Sequence, residues 1–86
     1  MFEQITVSDE VKSLDKDVSG QSFKNAVITI ENANIRWRTD AGSVTSTKGL
    51  LGVSGGIIVL STNSAIKNFR AIRESGTDAL LNVQYS

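Results

Sequence analysis

The run Phe23-Lys24-Asn25-Ala26-Val27-Ile28-Thr29-Ile30-Glu31 decides how this chain folds. On an extended backbone Ala26, Ile28 and Ile30 fall on one face and Val27, Thr29 and Glu31 on the other, the two-residue period of a half-buried strand. Glu31-Asn32-Ala33-Asn34 then turns the chain. Beyond the turn, Ala33, Ile35, Trp37 and Thr39 point one way and Asn34, Arg36 and Arg38 the other. A second strand is expected there, paired with the first as a hairpin. Asp40-Ala41-Gly42-Ser43 ends it with turn residues.

Residues 45–56 are rich in Ser, Thr and Gly and carry no period, so a long loop is expected, with a short pairing segment near Val44 or Leu50-Leu51. Ile57-Ile58-Val59-Leu60 is apolar on both faces. Such a strand needs cover on both sides, one from a second sheet and the other from a loop or another subunit. Residues 62–76 admit two assignments. In one, Ser64 caps a helix carrying Ile66, Phe69 and Ile72 and ending before Gly76; in the other, Asn68–Arg73 pairs with Asp78–Tyr85 across Glu74-Ser75-Gly76-Thr77. A helical turn near residues 62–66 followed by a strand is the preferred combination. In the final segment Ala79, Leu81, Val83 and Tyr85 share a face, a strand that should find an antiparallel neighbour close in sequence. Ile5, Val7, Val11, Leu14 and Val18 suit one or two short N-terminal strands or an arm within residues 1–22.

Composition agrees with this reading. Eight Val and eight Ile stand against six Leu, while eleven Ser, seven Thr, six Asn and seven Gly supply turns. With 86 residues there is room for a single core, which removes about 60% of the extended chain's surface from water. The expected architecture is all-β: one domain, residues 1–86, built as a small antiparallel β-sandwich or barrel. Neither repeats nor a Pro-rich linker divide it.

Nine Lys/Arg balance nine Asp/Glu, and the sequence has no Cys and no His. Disulfides, thiolate zinc sites and the commonest general base are thereby excluded. No basic-then-apolar leader and no long uncharged apolar window appear, so a cytoplasm-like setting without membrane spanning is expected. Residues 1–22 carry a net charge of −3 (two basic, five acidic) and residues 23–86 a net charge of +3 (seven basic, four acidic). Such a dipole would favour head-to-tail association at low salt.

Three motifs invite chemistry. Asp15-Lys16-Asp17-Val18-Ser19-Gly20 matches the first half of a calcium loop, but Ala26 stands where the bidentate Glu belongs, and a solvated turn is the expected reading. Gly49, Gly52, Gly55 and Gly56 follow Lys48 without the order of a phosphate loop. Arg36-Trp37-Arg38 alternates basic and aromatic residues as single-stranded nucleic-acid binders do, yet alternation puts Trp37 on the face opposite the arginines. A nucleic-acid partner also calls for a net basic domain, and the balance here is zero. Paired carboxylates could hydrolyse a glycoside, but a sugar cleft is hard to carve from one small core. The expectation is a protein that is not an enzyme and takes no cofactor or metal.

The order Ile35-Arg36-Trp37-Arg38, a turn, a Thr/Gly-rich stretch, Ile57–Leu60, Ile66-Lys67-Asn68-Phe69-Arg70-Ala71-Ile72 and Gly76-Thr77-Asp78-Ala79-Leu80-Leu81-Asn82-Val83-Gln84-Tyr85 resembles small tailed-bacteriophage structural proteins. The resemblance covers roughly residues 24–85. It departs at Asp40-Ala41-Gly42, one residue longer than the usual Asp-Gly, and at Val44-Thr45, where Pro-Thr is common. It implies a virion component assembled in the host cytoplasm, self-associating and decorating a capsid or joining tail parts, with no enzymatic role. Arg36, Arg38, Arg70 and Arg73 are then expected as polar interface contacts and Leu50, Leu51 and Leu80 as apolar ones. Trp37, Phe69, Ile72 and Tyr85 are expected core anchors. The alternatives are a binding module for carbohydrate or peptide and a single-stranded nucleic-acid binder.

Overall fold

The computed structural model describes residues 1–14, 23–40 and 42–86. The calcium-like motif at Asp15 and Asp17 lies outside the described residues. Seven strands and one helix follow in the order β1 (Phe2–Val7), β2 (Ala26–Glu31), β3 (Ile35–Arg38), β4 (Leu50–Gly52), β5 (Ile57–Leu60), α1 (Asn63–Asn68), β6 (Arg70–Arg73) and β7 (Ala79–Tyr85). They form two antiparallel sheets, a four-stranded one ordered β1-β7-β2-β5 and a three-stranded one ordered β4-β3-β6. The all-β expectation holds, as does the short pairing segment at Leu50-Leu51.

The period-2 readings translate directly into burial. Ala26, Ile28 and Ile30 of β2 and Ala79, Leu81, Val83 and Tyr85 of β7 all point inward and are buried, joined by Ile5 and Val7 of β1 and by Ile58 and Leu60 of β5. The smaller sheet contributes Ile35 and Ala71, and the helix side adds Ile66 and Phe69. Phe23 covers one end of this core with its ring 5.0 Å from that of Tyr85. The Tyr85 hydroxyl donates to the Glu3 carboxylate, so the buried phenol keeps a polar partner.

Two pairings differ from expectation. β2 and β3 are not a hairpin: β2 lies between β7 and β5 in the larger sheet, while β3 lies between β4 and β6 in the smaller one. Asn32, at φ 75°, takes the left-handed conformation that lets residues 32–34 carry the chain across the sandwich instead of folding it back within one sheet. Nor do β6 and β7 pair with each other. β7 runs between β1 and β2, with Ile5 opposite Leu81 and Ile28 opposite Val83. Both of its partners, β1 and β2, are distant in sequence.

Ile72 is a third correction. Helix α1 ends at Asn68, its side-chain period gives way to that of β6, and Phe69 and Ile72 no longer share a face. Ala71 is the buried residue of β6, and Ile72 sits half-buried on the outer side, opposite Arg36. The helix is capped by Thr62, whose hydroxyl oxygen accepts from Ala65 N at 3.1 Å, not by Ser64.

Candidate interaction surface

The expected interface arginines are each engaged within the chain. Arg36 leaves the outer face of β3, forms an ion pair with Glu74 at 3.4 Å and donates to the Gly49 carbonyl at 3.4 Å. Its Nε atom is buried without a hydrogen-bond partner. Arg38 reaches over the following turn to Asp40, with Nε–Oδ1 at 2.9 Å and Nη2–Oδ2 at 2.5 Å, and donates to Ser43 O at 2.9 Å. Asp40 Oδ1 also accepts from Gly42 N at 3.0 Å. These bonds favour the carboxylate: the Arg38 guanidinium first, then the Gly42 amide, hold Asp40 below its ordinary value, while Asp40 raises Arg38. Arg70 donates to the Lys67 and Phe69 carbonyls at 3.1 and 2.7 Å, closing the end of α1. Arg73 pairs with Asp78 at 2.6 Å across the β6–β7 connection.

The apolar residues divide differently. Leu80 is half-buried on the outer face of β7, with Thr6 and Glu31 as its cross-strand neighbours. Leu50 and Leu51 are 57% and 48% exposed on β4. With them go residues the sequence reading did not single out. Ile57 and Val59, on the outer face of β5, are 67% and 62% exposed, and Val27 beside Val59 is 43% exposed. The requirement that both faces of Ile57–Leu60 be covered already pointed at them. Within this chain the smaller sheet covers the inner face, and nothing among the described residues covers the outer one.

This exposure is localised. Among the described residues, the exposed large apolar side chains are Met1, Phe2, Val11, Val27, Leu50, Leu51, Val53, Ile57 and Val59, and five of these nine fall between residues 50 and 59. The topology places their strands, β4 and β5, at edges on the same side of the two sheets. Arg73 N donates to Ser8 O beside the end of β1, so β6 lies on the β1 side of the sandwich and β4 on the β5 side. The turn from β4 to β5 is held to the end of β2 by Gly55 N donating to Ile30 O at 2.7 Å and Ile30 N to Gly56 O at 3.1 Å, and Gly55 needs its φ of +88° to make it. Asn34 braces the same corner, accepting from Ser54 N at 2.9 Å.

Among the described residues no group of three or more Asp or Glu side chains could hold a metal. An open hollow of about 450 Å³ lies between Arg38, Thr39, Asp40, Lys48, Gly49 and Leu50, but the Arg38 and Asp40 charges in its wall neutralise each other. Trp37 packs against the core and away from the arginines, stacked on Phe69. No helix among the described residues is long and apolar enough to cross a membrane.

The fold and its flank thus define a small two-sheet β domain whose distinguishing surface is apolar. No protein-family model matches the chain, and no curated protein or solved structure is significantly similar to it.

Proposed function

We propose that this chain is a non-enzymatic structural protein of a bacteriophage virion, assembled in the host cytoplasm, which associates with itself and with other virion proteins to decorate the capsid or join capsid and tail parts. The observation that carries the reading is the exposure of five large apolar side chains, Leu50, Leu51, Val53, Ile57 and Val59, within one charge-free stretch of a domain with so small a core. Large apolar side chains left exposed this close together in sequence on a small domain are the kind of surface that association covers. The resemblance of residues 24–85 to small tailed-phage structural proteins supplies the class of particle. Mass spectrometry of purified particles from the phage or prophage that encodes the chain tests it: the protein should co-purify at fixed stoichiometry with the major capsid or tail protein. Its presence in the lysate but absence from washed particles would overturn the proposal.

A carbohydrate- or peptide-binding module is the competing reading, favoured by the hollow beside Arg38, Lys48 and Leu50. Calorimetric titration with glycan and peptide libraries separates the two, because a module binds as a lone domain.

A further inference from the structure

The sheets end in four strand edges, and these edges differ. The outer edge of β6 is occupied by residues 8–12: Lys12 N donates to Ala71 O at 2.8 Å, Ala71 N to Lys12 O at 2.9 Å, and Arg73 N to Ser8 O at 3.0 Å. β4 is only three residues long, too short to template much pairing. On β1, the Tyr85 N to Met1 O bond fixes the parity of the ladder, so the outward backbone groups belong to Phe2, Gln4 and Thr6, and the outer edge is largely polar. Among the described residues nothing gives β5 such protection.

The same parity argument makes β5 specific. Ile30 N bonds to Gly56 O, and the β2–β5 register runs on without interruption through Ile28 opposite Ile58 and Ala26 opposite Leu60. Antiparallel ladders alternate, so Ile58 and Leu60 spend their amides and carbonyls on β2 while those of Ile57 and Val59 point away from it. The two most exposed large apolar side chains among the described residues therefore sit on the two residues of β5 with outward-facing backbone groups. β5 has no Pro, charge or bulge, the devices that keep an edge from pairing. No charged residue occurs between Lys48 and Lys67.

We propose that β5 pairs antiparallel, across a twofold axis, with β5 of a second copy of this chain, Ile57 of each facing Val59 of the other, so that two larger sheets become one continuous eight-stranded sheet. The proposal rests on the reading of the chain as an assembling protein and names the contact it uses. The strand is its own complement. With Ile57 opposite Val59 of the second copy, the outward N–H and C=O groups of both residues are satisfied in both copies, and Ile58 meets its counterpart on the axis. The outer face gains a continuous apolar row, Val27, Val59, then Ile57 and Thr29 of the second copy. Charge selects no other partner: the seam is neutral and the chain's net charge is zero, so two copies approach without repulsion.

Area sets the strength. A standard interface of about 800 Å² per partner would take roughly a sixth of the 4678 Å² surface. A four-residue seam supplies less, even with Leu50, Leu51 and Val53 on the same flank. The pair is therefore weak in dilute solution and fills when copies are held side by side, where effective concentration replaces affinity.

Sedimentation equilibrium of the full chain from about 10 µM to 1 mM, the range expected for an interface below standard size, should show a reversible monomer–dimer equilibrium. Ile57→Lys should weaken it at least tenfold with an unchanged circular dichroism spectrum, since the replaced side chain is exposed. Register is tested by cysteine, because the chain has none. Mild oxidation should cross-link the Ile58→Cys variant across the axis much faster than the Val59→Cys variant, whose two positions stand two residues out of register, beyond disulfide reach. A monomer at every concentration, a dimer indifferent to Ile57→Lys, or faster cross-linking through Val59→Cys would each overturn β5 pairing. None of these outcomes touches the particle-composition experiment, so the edge contact can fail while the virion reading stands.

Discussion

The indole of Trp37 stacks on the ring of Phe69 at 5.9 Å between centroids and 25° between planes, tying the middle of β3 to the point where α1 gives way to β6. Phe69 is fully buried and Trp37 only partly so. Replacing Phe69 by Ala should cost about 3–5 kcal/mol, most of the margin of a domain this small, whereas Trp37→Ala should cost about 2 kcal/mol because its indole leaves water incompletely. Urea unfolding with unchanged m-values measures both. A loss under about 1 kcal/mol for Phe69→Ala would contradict its place in the core.

Gly52 fills the gap between the sheets where β4 crosses the end of β2. A Cβ there would stand 2.7 Å from Ile30 Cδ1, 3.0 Å from Ile35 Cγ1 and 3.3 Å from Trp37 Cδ1. Gly52→Ala should therefore destabilise by about 1–3 kcal/mol through overpacking, against the usual gain from reduced backbone entropy. Gly76→Ala is the contrast, since nothing lies within 4 Å of its Cβ position and its φ is not positive; thermal unfolding should separate the two clearly.

Asp40 links pH to the conformation of the turn after β3. Its carboxyl is held below the ordinary 3.8 by Arg38 and the Gly42 amide, so the charged form is favoured in the fold. The resulting stabilisation is present above the ordinary carboxylate range and is lost as pH falls through the depressed folded value. An NMR titration should show the Gly42 amide shifting below pH 3.8, and Arg38→Gln should bring the midpoint back up toward the ordinary value. A midpoint indifferent to that substitution would refute the assignment.

Thr62 makes the N-terminal side-chain cap of a six-residue helix. Thr62→Ala should cost about 1 kcal/mol, while Thr62→Ser or Thr62→Asn should be nearly neutral. Equilibrium denaturation of the three variants provides the comparison.

The strands were legible in the sequence because period and burial coincide in 26–31 and 79–85, and the helix because Ile66 and Phe69 keep helical spacing. The pairing of strands was not. Nothing local distinguishes a turn that folds β3 back on β2 from one that carries it to the opposite sheet, and Asn32 alone hints at the difference. Ile72 was misassigned because a helical period was extended one step past the helix. The arginines were recognisable as surface residues, but their partners were not: Glu74 lies 38 residues from Arg36 and meets it only through the β3–β6 ladder. Leu50 and Leu51 were identified with the surface flank, whereas Ile57 and Val59 were recognised only as residues in need of cover.

β7, the last strand, occupies the interior of the larger sheet and separates β1 from β2, which have no bonds to each other. A nascent chain that has delivered everything up to Gly76 thus holds two unconnected halves of that sheet, and β1 waits for β7. Completing the larger sheet is consequently a sequence-distant closing step that waits on β7. During that delay the uncharged stretch from Gly49 to Ile66 is open to the wrong neighbours, which makes synthesis rate and chaperone supply the natural determinants of yield.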